Sequence, residues 1–179
     1  MSEQEEEIFA SSSDSSQYIS WKARDKKWKS NSNEITAKEI ALDFSTLKTG
    51  WGIWPEGQAI TWTFGSKPSK LPQKPSDQHK QGFYIEAYIE EDKKMTKKVW
   101  SSLAFGERET IRLMHKQVIG TIKDNKGKIA VYTIDGANET LKIGKGDTCT
   151  AKCTFKGWSV KPTEEEEDSS DDTPIFDID

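Results

Sequence analysis

The side chains of this chain that could do chemistry are its aromatic rings and its cations: seven tryptophans and 26 Lys or Arg in 179 residues. Trp21 and Trp28 stand among Lys22, Arg24, Lys26, Lys27 and Lys29, while Lys67, Lys70, Lys74 and Lys80 follow closely after Trp62. Aromatic faces stack on nucleobases, at about 1–3 kcal/mol per base, and lysines track phosphates and release their counterions. Together they are what a protein needs to hold a single nucleic-acid strand without reading its sequence. Each ring also has a plainer use as a large core residue. The cations around Trp21 and Trp28 favour base contact there. Trp51 and Trp54 lie in the Gly-rich run TGWGIWPEG, where a ring is hard to bury completely. Trp62 and Trp100 occupy alternating strand positions, with core on one face and groove on the other. Phe83 and Tyr84 are neighbours, so one ring points in and the other, taken as Tyr84, points out. Trp158 is assigned to the core.

The formal net charge of −4 hides how the charge is distributed. Residues 1–17 carry five acids and no base, and residues 163–179 carry nine acids and no base. All 26 cations fall in residues 18–162 against 16 acids, so this body has a formal charge of +10. Neither end has enough apolar surface to offset backbone ordering entropy, so both are expected to be disordered acidic segments flanking one domain. The last segment nevertheless holds Pro174, Ile175 and Phe176 beside Asp171 and Asp172. A short aromatic anchor flanked by charge suits a basic-rimmed pocket on a partner protein.

Other classes of function find little support. No Ser-His-Asp order is present, and the acidic run Glu90, Glu91 and Asp92 falls where a hairpin turn is expected. Gly144-Lys-Gly lacks the spacing of a phosphate-cradling loop, and no helix follows it. Cys149 and Cys153 lie far in sequence from His79 and His115, which argues against a zinc site. No enzyme, cofactor or metal is therefore expected. No run of roughly 18 apolar residues marks a membrane span, and the start of the chain lacks the pattern of a signal peptide. A reduced, cytoplasmic protein is the expectation.

The elements that must position these groups are mostly strands. Ile40, Leu42 and Phe44 alternate, as do Ile60, Trp62 and Phe64, and residues 82–91, 95–104, 128–135, 140–144 and 148–162 read as further strands. A short helix is open at 37–39. Residues 65–81 contain three prolines and four lysines and read as a long exposed basic loop. Ile111, Met114, Val118 and Ile122 recur at helical spacing and predict one helix over 106–123. All connections are compatible with antiparallel pairing.

A mainly β chain with one helix between its third and fourth main strands resembles the OB-fold, an antiparallel Greek-key barrel. With the tail Asp171-Asp-Thr-Pro-Ile-Phe176, the chain is similar to single-stranded DNA-binding proteins of bacterial or phage type. The bacterial family ends in aspartates followed by Ile-Pro-Phe. Here Pro and Ile are exchanged, and Asp177-Ile-Asp179 follows the Phe, so the phage members, with freer endings, are nearer in style. The segment KPSDQHKQGF also resembles one found in phage proteins. The resemblance implies single-stranded DNA binding in replication, recombination or repair, in the cytoplasm of a bacterial host. It also implies that the tail recruits replication or recombination proteins, and it leaves a homo-oligomer open. Two other readings stand beside it: a protein-interaction adaptor that never binds DNA, and an RNA chaperone of cold-shock type.

Overall fold

The computed structural model describes residues 17–30, 33–55, 59–91, 93–144 and 146–162. Among them the chain order begins β1 (Tyr18–Lys22), β2 (Lys27–Ser30), β3 (Asn33–Glu34), β4 (Glu39–Ile53), β5 (Thr61–Phe64), β6 (Lys80–Glu91) and β7 (Lys94–Ser102). It continues with α1 (Phe105–Val118), β8 (Lys128–Ala137), β9 (Leu141–Ile143), β10 (Gly146–Thr148) and β11 (Ala151–Val160). Nine strands make one curled sheet in the order β11-β8-β4-β6-β7-β1-β2-β3, with β5 beside β4, and β9 and β10 form a separate hairpin. The described fold is mainly β with one α-helix.

Strand β4 is the spine of this sheet. Ile40, Leu42 and Phe44 alternate on its inner face and are buried with Ile85, Ala87 and Ile89 of β6. No helix interrupts residues 37–39. The strand also runs through Gly50, Trp51 and Gly52, where the glycine content alone predicts a turn. β6 pairs with β4 along most of its length. On the other edge, β8 pairs with Glu39–Leu42 and β5 with Gly50–Ile53.

One bulge re-aims the second half of β4. Asp43 lies opposite Glu86, but Lys48 lies opposite Tyr84, a shift of an odd number of residues. Because side chains alternate with period two, an odd insertion exchanges which residues face outward. The extra residues are held by side chains. Ser45 donates to Asp43 Oδ1 from its amide at 3.1 Å and its hydroxyl at 2.6 Å. Thr46 Oγ1 donates to Asp43 O at 2.7 Å and accepts from the Glu86 amide at 2.9 Å. Burial pushes the Asp43 carboxyl up, but Lys161 at 2.7 Å and Ser45 outweigh it and hold it below the usual range.

The N-terminal hairpin departs from the expected pairing. β1 runs parallel to β7, with Ile19 opposite Trp100, and only β2 pairs with β1 in antiparallel fashion. Trp21, Trp28 and Trp100 are 3 %, 5 % and 0 % exposed and pack as a tilted cluster, with rings 5.7 Å and 4.9 Å apart. These three rings are core and cannot stack on bases. The cations beside Trp21 and Trp28 in sequence lie on the opposite face of their strands, because neighbours in a strand point to opposite sides.

Helix α1 closes one end of the core through Ile111, Met114 and Val118. It stops earlier than the periodicity predicts: the Thr121 amide turns back to Val118 O, and Ile122 packs on the core from a 3-10 turn at Ile122–Asn125. The helix also covers the free edge of β11. The Gln117 amide imitates a neighbouring strand, donating to Cys153 O and accepting from the Phe155 amide, both at 2.8 Å. Exposed edges invite pairing with other chains, and this one is blunted.

Glu107, in the first turn of α1, joins helix, hairpin and sheet. Its carboxylate is buried and accepts from the Trp21 amide (2.8 Å), Trp100 Nε1 (2.8 Å) and Ser102 Oγ (2.6 Å). Trp21 Nε1 in turn donates to Cys149 O at 2.9 Å.

Candidate nucleic-acid interface

The bulge decides what the outer face of β4 presents. Residues directly opposite one another in an antiparallel pair share a face of the sheet. Lys48 therefore lies beside Tyr84, Gly50 between Phe64 and Gly82, and Gly52 between Trp62 and Lys80. Phe83 and Ile85, on either side of Tyr84, are core, so this row belongs to the opposite, outward face.

The three rings on this face form a continuous half-buried row. Trp62 and Phe64 stack at 5.0 Å with their planes 14° apart, and Phe64 meets Tyr84 at 6.3 Å, tilted by 63°. Glycines form the floor. A Cβ on Gly82 would come within 2.8 Å of the Trp62 ring, and one on Gly52 within 3.2 Å. Leu103 lies over the same glycines on the same side as Trp62, its Cδ2 2.8 Å and 2.6 Å from where Cβ atoms of Gly52 and Gly82 would stand, so Trp62 is seated on backbone beside one aliphatic side chain. Lys48 Nζ stands 5.6 Å from the Phe64 centroid and 5.5 Å from that of Tyr84. Burial, with Glu86 nearby, pushes the Tyr84 hydroxyl up, so the ring stays neutral at physiological pH.

The other face of the same three strands carries the basic loop. Trp51 is half-buried and donates from Nε1 to Pro72 O at 2.7 Å, and Lys74 lies over its ring at 5.4 Å. Thr49 Oγ1 donates to Pro68 O at 2.7 Å, and the Gly65 amide to Thr49 O at 3.0 Å. The loop is thus laced to β4 rather than free. Lys67, Lys70, Lys74 and Lys80 are all exposed. Trp54, just past β4, is 63 % exposed.

The structure thus brings Trp62, Tyr84 and Lys80 onto one face, and Trp51, Lys67, Lys70 and Lys74 onto its reverse. It does not join the N-terminal cations to either group. Lys22 and Arg24 line a depression with Ala104, Gly106 and Thr148 at the start of the helix. Lys26 is exposed in the hairpin turn, while Lys27 pairs with Glu34 at 3.1 Å and Lys29 with Asp25 at 2.7 Å. Phe64 and Lys48 are the members of the row that sequence reasoning does not single out. The two-residue spacing from Trp62 is the available signal for Phe64, and nothing local marks Lys48.

Asp171, Asp172, Pro174, Ile175 and Phe176 lie outside the described residues. Cys149 and Cys153 are buried free thiols, and burial pushes that of Cys153 up to about 12. Among the described residues, no group of His, Cys, Asp or Glu is placed to hold a metal ion, and no helix is long and apolar enough to cross a membrane. No family model, curated protein or solved structure matches this chain.

Proposed function

We propose that this chain is a non-sequence-specific single-stranded DNA-binding protein that works in phage or bacterial DNA replication, recombination or repair. The observation that carries the reading is the outward row Trp62–Phe64–Tyr84, with Trp62 seated over Gly52 and Gly82 and the row flanked by Lys48 and Lys80. Such rings present π faces that any base can stack on, and the +10 body supplies the field that draws a polyanion in.

The topology supports the same reading. The path β11-β8-β4-β6-β7 matches strands five, four, one, two and three of an OB-fold, with α1 between the third and fourth. The hairpin β1–β2 sits beside β7, where the third and fifth strands of such a barrel would close. OB-folds take oligonucleotides on the face of strands two and three and on the loops beside them. Those correspond to β6, β7 and the β4–β6 connection that contains β5, and the aromatic row lies on β5 and β6.

The test is an equilibrium titration with oligo(dT) over a range of salt concentrations. Affinity should fall steeply as salt rises. Neutralising Lys67, Lys70 and Lys74 together should flatten the slope by about 0.7 for each phosphate left without its lysine. An unchanged slope would mean that the strand keeps to the aromatic face and does not wrap onto the loop. Absence of binding at low salt would favour the adaptor reading, and a clear preference for RNA of matched sequence would favour the chaperone.

The acidic tail enters this function as a tethered competitor and a docking peptide. Its nine charges share one chain with the cationic body, so their effective concentration near the groove is on the order of millimolar. Deleting residues 163–179 should tighten DNA binding, most at low ionic strength where screening is weakest. The same deletion should abolish recruitment of a replication or recombination partner. Equal affinities of full-length and truncated chains at low and moderate salt would contradict the competition.

A further inference from the structure

The Phe64–Tyr84 end of the aromatic row is already covered, and the cover is a cation from the same chain. Trp62 occupies one face of Phe64. One step beyond Gly50 along β4, the register places Lys48 on the far side of Phe64, beside Tyr84. Its ammonium stands over both rings at 5.5–5.6 Å, within the range of cation–π attraction. Lys48 reaches this place only because of the bulge, whose shift turns it outward.

We infer that Lys48 is a placeholder that occupies the stacking position of a base in the free protein and yields it on binding. A base entering this position displaces the ammonium from Phe64 and Tyr84. The four-carbon stem then lets Lys48 move to the adjacent phosphate. Lys48 thus acts in opposite directions: it resists stacking through the rings and favours the strand through the phosphate. The first effect is short-range and survives salt; the second weakens as salt rises. The inference rests on the aromatic row being the DNA site, and it names a positioning residue of that site and its regulation.

Two variants separate this role from simple phosphate contact. Lys48→Ala should lower the salt slope by about 0.7. Its binding curve should also cross that of the unmodified chain: weaker at low salt, and about two- to five-fold tighter at high salt, where freeing the rings of their cation dominates. Lys48→Arg keeps the charge and the slope but grips the rings more firmly, so it should bind oligo(dT) more weakly at every salt concentration. If Lys48→Ala binds more weakly at all salts and Lys48→Arg binds as well or better, Lys48 is only a phosphate contact and the inference is overturned. Phe64→Ala is measured in parallel. Should that variant bind like the unmodified chain, the row is not the DNA site, and the reading of the face falls together with this inference. If Phe64→Ala weakens binding but no crossing is seen, only the placeholder role is overturned.

Discussion

Glu107→Ala is expected to destabilise the protein by about 3–5 kcal/mol, because it strands a buried backbone amide and a buried indole N–H at once. The Trp21 amide and Trp100 Nε1 both end on Oε2. Ser102 Oγ also loses Oε1, although it keeps the bond from the Ala104 amide. Against a total stability of roughly 5–15 kcal/mol for an ordinary domain, such a loss is large. It should lower the midpoint of thermal unfolding by roughly 6–20 °C. Glu107→Gln keeps one acceptor oxygen and the shape, so it should recover much of the loss. A shift of less than a few degrees for the alanine variant would mean that the hairpin is held by Trp packing alone.

The glutamine variant also carries a pH signature. Burial pushes the Glu107 carboxyl above the ordinary glutamate value of 4.5, and its three donors and Lys22 offset this only in part. The folded state therefore holds this proton more tightly than the unfolded chain. The group's contribution is complete below pH 4.5 and is lost as pH rises through the folded value. Asp43 runs the other way: its folded value lies below 3.8, so its contribution is present above 3.8 and is lost as pH falls through the folded value. Asp43 is common to both chains and cancels from the comparison. The stability advantage of the unmodified protein over Glu107→Gln should then shrink as pH is raised from about 4.5. Denaturant unfolding across that range checks the sign.

The second large effect concerns binding. Trp62→Ala and Phe64→Ala should each weaken single-strand affinity by about 1–3 kcal/mol while the chain stays folded. The two rings stack on each other, so the double variant should not show the sum of the single losses. Both lie in the four-residue strand β5 at the margin of the sheet, outside the core cluster, so their removal leaves the core intact. Trp28→Ala should behave in the opposite way. It removes a ring packed between Trp21 and Trp100, so it should unfold the hairpin rather than act on DNA. Fluorescence follows the same division. Quenching by DNA should come from Trp62, with Trp51 and Trp54 as neighbours, and not from the buried trio.

Much of the sheet was legible because its strands alternate. Ile40, Leu42 and Phe44 face inward as their pattern predicts, and Tyr84 and Phe83 divide between the two faces as adjacent residues must. The same alternation explains the chief error. Lys22, Lys27 and Lys29 flank Trp21 and Trp28 in sequence, yet on a strand the nearest residues in sequence lie on opposite sides. Local cations therefore said nothing about where those rings point. Trp51 and Lys48 were hidden for a different reason. Their orientation depends on the bulge between Asp43 and Lys48, which is built by Ser45, Thr46 and a bond from distant Glu86. Nor could Gly50, Gly52 and Gly82 be told from turn residues until the ring lying over two of them was placed.

In the proposed function, the outward row on β5 and β6 binds single-stranded DNA. The most direct measurement is an oligo(dT) titration of the Trp62→Ala, Phe64→Ala double variant beside the unmodified chain, at one moderate salt concentration. Circular dichroism and unfolding midpoints should first establish that both are equally folded. The expected result is a loss of affinity of tenfold or more, corresponding to about 1.4 kcal/mol or more, with the salt slope nearly unchanged, since every lysine that meets a phosphate is still in place. Equal affinity of two equally folded chains would contradict this and exclude the row as the binding site.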